Sequence, residues 1–239
     1  SLVGAYPPDD LAVVQVNRTK GINPASFADS SQLQIGDIAL AIGNPLGLAS
    51  SVTEGIVSFN GRTVGEGNGV LLPNTVQTSA AINPGNSGGA LVNIDAQVIG
   101  IPTLAATDPQ LGGGGAAGIG FAIPSNTVKL IVPQLISQGK VTNSGRAALD
   151  ISGATSVDTS GQPVGVIVTQ VQSGGAADKA GIKVGEVITQ IDGQPTPTLS
   201  ALQQVLAALK PGDSATVNIL SADGTHRSVK VTLDNLKGS

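Results

Sequence analysis

With 239 residues, a hydrophobic fraction of 40% and a net charge of -4, the chain is long enough for two packed domains and carries no concentrated positive field. Residues 1–124 hold eight acids against Arg18, Lys20 and Arg62, and the remainder eight acids against nine bases, so nucleic-acid binding is not expected. Without cysteine there is no disulfide, thiol nucleophile or cysteine metal site, a single histidine argues against zinc, and no apolar run reaches the ~18 residues of a membrane span.

Aromatic residues make up only 2% of the chain, against 33 Gly and 14 Pro, so the cores must be built from Val, Ile, Leu and Ala between many turns. That composition leans toward β structure. The chain opens on Ser1 and contains no methionine, which reads as a processed, trimmed or cloned start.

In chain order, Pro7-Pro8-Asp9-Asp10 reads as a turn that delivers a carboxylate to the edge of a strand over Leu11 to Asn17. That strand is apolar on both faces, the pattern of one buried on both sides. Short strands follow at Ile38 to Ile42, Ser51 to Phe59, Leu71 to Thr78, Ala90 to Ile94, Gln97 to Thr103 and Gly118 to Ile123, a spacing that suggests a six-stranded antiparallel barrel. Turns are expected at Gly43 to Gly47, Val64 to Asn68 and Asp95-Ala96, with a long loop from Ala105 to Ala117. Its glycine run, Gly112 to Gly115, lacks the Lys-Ser/Thr and the following helix that a phosphate loop requires.

Ser125 is placed to cap a helix that runs to about Gln138 and stops at Gly139. The polar stretch 140–146 reads as a linker. A second β-rich unit then spans 147–235, with strands at Ala148 to Ile151, Gly165 to Val171, Val187 to Ile191, Ser214 to Leu220 and Arg227 to Leu233. Helices are expected near Ala176 to Ala180 and, from the spacing of Leu199, Leu202, Val205, Leu206 and Leu209, over Leu199 to Leu209.

One stretch suggests chemistry. Ile82-Asn83-Pro84-Gly85-Asn86-Ser87-Gly88-Gly89 places a hydroxyl among residues that accept unusual backbone angles and leave room for a ligand. Gly85, Asn86 and Ser87 are candidates to turn backbone N–H groups onto the oxygen of an attacked carbonyl. Gly85-Asn86-Ser87-Gly88-Gly89 formally matches the Gly-x-Ser-x-Gly elbow of α/β-hydrolases, but that elbow needs a helix directly after the serine. Residues 90–101 alternate and turn like a hairpin instead. What remains is either a glycine-rich turn or a serine nucleophile on a barrel loop.

Five segments stand in the order found in HtrA/Deg-type serine proteases, and on them the chain resembles that family over almost its whole length. They are Asp10 to Val13, Gly43 to Gly47, Thr53 to Ser58, Gln77 to Gly89 and Gly120 to Pro124. Ala176 to Ile188 resembles the PDZ domain that such proteases carry. The resemblance implies a mainly β chain: residues 1–139 as the end of a first barrel, a complete second barrel of the chymotrypsin-like fold and an exit helix, then a PDZ β-sandwich with two helices. It implies Ser87 as nucleophile, Asp10 rather than Asp9 as the acid that orients a histidine, and an oxyanion hole formed by the N–H groups of Gly85 and Ser87; no cofactor or metal is expected.

The family's histidine precedes its aspartate, and here only nine residues precede Asp10. His226 lies far down the chain, in an expected PDZ hairpin, and reads as a surface residue. Most of a first barrel is absent, which favours a fragment over a natural pseudo-protease. The chain alone is therefore expected to hydrolyse protein slowly or not at all. Ser79 and Asp95-Ala96 depart from the family pattern, at an acid and an Asp-Gly respectively, without touching the proposed chemistry.

By position, Ala81 and Ile82 lie at the base of the pocket for the residue before the scissile bond. They offer no carboxylate, so cleavage after small or medium aliphatic residues is expected. Gly118, Ile119, Gly120, Phe121 and Ala122 are expected to pair with substrate backbone. In the PDZ-like unit, Arg146, Leu149, Asp150 and Ile151 fall where the family captures a peptide C-terminus, with Asp150 in place of a glycine. The expected partners are misfolded or exposed polypeptides and C-terminal peptides, with a trimeric, extracytoplasmic parent. The competing expectation is a non-catalytic peptide-binding scaffold.

Overall fold

The computed structural model describes residues 1–17, 20–44, 51–65, 71–108, 114–221 and 223–238. Pro45 to Gly47, Glu66 to Asn68 and Gly112-Gly113 lie outside them. The chain divides into two compact units, Ser1–Val141 and Thr142–Lys237.

The first unit opens with an antiparallel hairpin of β1 (Leu2–Tyr6) and β2 (Leu11–Val14), joined by a 3-10 turn over Pro7–Asp9. The body is a closed six-stranded barrel. Its strands are β3 (Ile38–Gly43), β4 (Ser51–Gly65), β5 (Leu71–Thr78), β6 (Ala90–Val92), β7 (Val98–Asp108) and β8 (Gly114–Pro124), closed in the order β3-β4-β5-β8-β7-β6. Helix α1 (Ser125–Gln138) follows at once.

In β3 the two alanines, Ala39 and Ala41, are fully buried, while Ile38 and Ile42 point outward at 44% and 39% exposure. The enclosed core contains Ala39, Ala41, Val57, Val76, Leu91 and Ile99, with alanine on β3 facing larger side chains from the other strands. Beside the barrel, α1 lays Val128, Ile131 and Leu135 on Tyr6 and Leu11 of the hairpin.

Three expectations need correction here. The segment from Leu11 is not buried on both sides, since Val14 and Val16 are 68% and 60% exposed: α1 covers only one face of the hairpin. The long loop from Ala105 is mostly strand, because β7 continues to Asp108 and β8 resumes at Gly114. Ser125 lies inside α1 and gives its hydroxyl to Ala28 O at 2.8 Å, leaving the Asn126 N–H to be met by Ser30 Oγ at 3.1 Å. The expected stop holds, with Gly139 at φ 67° closing the helix through its N–H to Leu135 O. Ala96 sits at φ 58°, the left-handed conformation that the family's glycine adopts without strain.

The second unit comprises β9 (Ala147–Ala148), β10 (Ile151–Val157), β11 (Pro163–Val171), α2 (Ala176–Lys179), β12 (Val187–Ile191), β13 (Gln194–Pro195), α3 (Leu199–Ala207), β14 (Ser214–Leu220), β15 (His226–Thr232) and β16 (Asp234–Asn235). The main sheet runs β10-β11-β12-β14-β15, so β10 is an edge, and β9 pairs with β16. In β14, Ala215, Val217 and Ile219 are fully buried and alternate with Ser214, Thr216 and Asn218. Thr198 Oγ1 caps α3 by accepting the Ala201 N–H at 3.1 Å.

The turn before β12 is tied to β15 by a bidentate pair in which Arg227 donates to both oxygens of Glu186 at 2.9 and 2.8 Å. Burial pushes the Glu186 carboxyl up, but Arg227 and the Lys183 N–H outweigh it and hold the group below its ordinary value. A carboxyl depressed in the folded state stabilises above its unfolded pKa of about 4.3 and loses that contribution as pH falls through the folded value. Arg227→Met is expected to cost about 2–3 kcal/mol in urea unfolding at pH 7, below the cost for a fully buried pair because Arg227 is 35% exposed. The difference from wild type should shrink below pH 4.

Candidate active site

The Pro7–Asp9 turn ends on Asp10, whose backbone is left-handed at φ 50° and ψ 40° with its N–H bonded to Pro7 O. The two prolines set the turn, and aspartate is among the few residues that accept the angles at its close. The neighbouring carboxyl, Asp9, is turned inward and is 3% exposed. Asp10 faces outward, and its Oδ2 accepts the hydroxyl of Thr103 at 2.6 Å.

Thr103 is a bulged residue of β7. Pro102 lies opposite Ala122 and Leu104 opposite Phe121, so Thr103 has no partner in that ladder. A bulge re-aims the groups it carries. The Thr103 side chain reaches Asp10, while its carbonyl accepts the Ser87 hydroxyl at 2.7 Å. One residue thus ties the candidate acid to the candidate nucleophile. Thr103 carries no signal in the sequence, because a bulge is a property of two strands together.

The loop carrying Ser87 is pinned on both sides. Asn44 N–H donates to Gly85 O at 3.1 Å and Gly88 N–H to Pro102 O at 2.9 Å. Gly85 and Gly88 take φ of 105° and 78°, and Asn86, 1% exposed, holds Ala81 O through Nδ2 at 3.0 Å. Among the three expected oxyanion donors, Asn86 must be removed, since its N–H is spent on Asn83 O at 2.9 Å. The N–H groups of Gly85 and Ser87 make no hydrogen bond among the described residues and remain available.

Beside Ser87 lies a cavity of about 290 Å³ lined by Ile82, Asn83, Pro84, Ser87, Thr103 and Ala105. No acid lines it. Ala81 is not part of this wall, its carbonyl being taken by Thr53 Oγ1 and Asn86 Nδ2. The expectation that Gly118 to Ala122 would pair with substrate also fails for its last three residues. Gly120, Phe121 and Ala122 pair with Thr78, Gln77 and Val76 on one side and with β7 on the other, which leaves no free edge. Gly118 and Ile119 are exposed and outside both ladders. Next to Ser87 the open edge is that of β7, where pairing with β6 stops at Gly100.

In the second unit, a cavity of about 170 Å³ lies between α3 and the segment from Arg146 into β10. Arg146, Leu149, Asp150 and Ile151 all line it. The segment is anchored from behind, with Leu149 O accepting the Ala177 N–H at 2.9 Å and Asp150 O the Gln172 N–H at 3.0 Å. Asp150 occupies left-handed space at φ 57°, which explains why a glycine suits the position. Its Oδ2 is turned to the Ala176 N–H at 3.3 Å. Burial raises the Asp150 carboxyl, the Ala176 bond lowers it, and the neighbouring Asp234 raises it further.

Among the described residues no helix is long and apolar enough to cross a membrane, and no group of His, Asp or Glu is arranged to hold a metal ion.

Comparison with known families places a trypsin-like peptidase domain at residues 1–101 and a PDZ domain at residues 135–233. The chain is 41% identical to serine protease PepD of Mycobacterium tuberculosis, covering 98% of this chain and 50% of that protein. It is 40% identical to the periplasmic serine endoprotease DegP of Escherichia coli, over 97% of this chain and 48% of that protein. It therefore spans about half the length of the curated relatives it matches. Among solved structures, the HtrA-type protease AlgW with decapeptide aligns at TM-score 0.61 and 32% identity, covering 98% of this chain and 70% of that one. A serine endoprotease from Yersinia pestis aligns at TM-score 0.58 and 33% identity, over 99% and 75% of the two chains. With a trypsin-like barrel around Ser87 and a PDZ unit following it in the chain, this protein belongs to the HtrA-type serine proteases.

Proposed function

We propose that this chain is the nucleophile-bearing part of a serine endopeptidase of protein quality control, which cleaves misfolded or exposed polypeptide through an acyl-enzyme on Ser87. The observation that carries the reading is the Asp10–Thr103–Ser87 connection, which sets an acid and a hydroxyl on either side of one bulged residue. In triad chemistry a histidine between them takes the serine proton while the acid fixes its tautomer. The N–H groups of Gly85 and Ser87 then meet the oxyanion, and the cavity over Ile82 takes an aliphatic side chain. Substrate backbone adds to the open edge of β7.

The chain's single histidine, His226, lies on β15 of the second unit, and the first unit has none. The base is therefore assigned to polypeptide outside these residues. The PDZ groove binds peptide C-termini, with β10 as the edge the peptide extends. An extracytoplasmic location accords with the periplasmic relatives, and a trimer is the proposed assembly of the parent.

The test uses an unfolded casein and the purified 239-residue chain. Turnover is expected to stay within the roughly 10³–10⁴ over water that an oxyanion hole and binding alone provide. Rapid turnover abolished by Ser87→Ala would place the base within the chain. If a histidine-complete parent also fails to cleave casein while the PDZ unit binds peptides, the scaffold reading replaces this one.

A further inference from the structure

The second unit carries a carboxyl of its own at the end of the groove where a peptide carboxylate would arrive. The N–H groups of Leu149 and Asp150 make no hydrogen bond among the described residues, and both residues line the groove. The carbonyls of the same two residues are held from behind, which fixes the direction of these donors. An anion resting on the Asp150 N–H at about 2.9 Å comes within about 6 Å of that residue's side-chain carboxyl, only three bonds away. At such a distance like charges act strongly on each other's ionisation.

The surroundings of this carboxyl leave it readily protonated. Its bond to the Ala176 N–H is long, at 3.3 Å. Asp234 of β16, which pairs with β9 opposite Ala148, lies close enough to share a hydrogen bond with Asp150 when either is protonated. Lys237, just after β16, favours the charged form of Asp150 through space. From α2, Lys179 pairs with Asp234 at 3.4 Å, and Asp178 is turned to the Gly174 N–H at 2.8 Å. Arg146, half-buried, lines the same cavity. Both lysines are exposed, so solvent screens them, whereas burial is the largest influence on Asp150 and lifts its carboxyl above the ordinary value.

We propose that capture of a peptide C-terminus by this groove takes a proton from solvent onto the Asp150–Asp234 pair, so that binding tightens as the surroundings acidify. An arriving carboxylate adds a like charge beside a group that already resists ionisation, and raises its hold on a proton further. A carboxyl that binds its proton more tightly in the complex takes protons up with the ligand. Affinity then grows as pH falls, until the pair is protonated in both free and bound states. A glycine at position 150 would carry no such coupling. The inference rests on the peptide-binding reading of the groove and adds its control by pH.

Calorimetric titration of the 239-residue chain tests it with the acetylated hexapeptide Gly-Ala-Ala-Val-Ala-Val, free at its C-terminus, at pH 7.5 and pH 5.0. Both lie above the range in which the peptide's own carboxyl titrates, about 3.3–3.7. Wild type is expected to bind about 5-fold more tightly at pH 5.0, and the heats at pH 6.0 in phosphate and Bis-Tris should differ in the sense of proton uptake. Asp150→Asn keeps the side-chain shape and accepts the left-handed backbone, and it should bind at both pH values as tightly as wild type does at pH 5.0. The chain's one histidine, His226, lies on β15 and does not line the groove, so any effect of it is common to both proteins. If Asp150→Asn binds no peptide, Asp150→Gly takes its place with the same expectation, and loss of binding in both overturns the coupling. Equal wild-type affinities at the two pH values, heats without proton uptake, or a pH dependence that survives in the variant also overturn it and leave the groove reading standing. If the peptide does not bind wild type, or its amidated form binds equally at pH 5.0, the groove reading falls and takes this inference with it.

Discussion

In a histidine-complete parent protein, Ser87→Ala should lower kcat for an unfolded protein by about 10⁶-fold while KM changes little. The reason is that the alanine leaves the Ile82 cavity, the β7 edge and both free N–H groups in place, so substrate still binds. Only the atom that forms the acyl bond is lost. Ser87→Cys separates this from a packing effect: it keeps a nucleophile of similar size and should retain more activity than alanine. Steady-state rates on casein for the three forms check the order.

The second large effect is structural and lies two residues away. A Cβ added at Gly89 would sit 2.2 Å from Ile42 O and 2.9 Å from Asn86 O, both backbone atoms that cannot step aside without moving the loop or β3. Gly89→Ala is expected to cost more than about 3 kcal/mol and to remove Ser87 reactivity even where the barrel survives. At Gly88 nothing lies within 4 Å of an added Cβ, and only the φ of 78° resists it. Gly88→Ala should therefore cost about 1–2 kcal/mol. Urea unfolding of the two variants tests the contrast, and similar losses would mean that the loop is less tightly clasped than these distances imply.

These two glycines also mark where the sequence could be read and where it could not. Local pattern reveals strands and helices, so β5, β12 and β14 fall where alternation and turn residues put them. Pattern also identified the Ser87 loop and the Asp10 turn. It did not reveal which edges are occupied, because pairing belongs to two segments at once. Hence β8 looked free to take substrate although β5 and β7 flank Gly120 to Ala122, and the bulge that aims Thr103 went unseen.

Size was misleading for a related reason. Isoleucine is ordinarily the residue to bury, but a closed six-stranded barrel turns Ala39 and Ala41 inward and leaves Ile38 and Ile42 outside. The start of α1 shows the same limit. Ser125 has the side chain of a cap, yet the Asn126 N–H is met by Ser30, which is 96 positions away. In the second unit, alternation placed the core of the sheet, but the buried Gln203 Oε1, without a hydrogen-bond partner among the described residues, emerges only when the groove is assembled.

On the proposed reading Ser87 is the nucleophile, and Asp10 and Thr103 hold the frame around it. Acid-quenching a histidine-complete parent during turnover of an activated aliphatic ester, followed by peptide mass mapping, tests this most directly. The expected result is a single acyl adduct on the peptide containing Ser87, formed in a burst equal to the enzyme concentration. Turnover with no adduct, or with the acyl group on another residue, would contradict it.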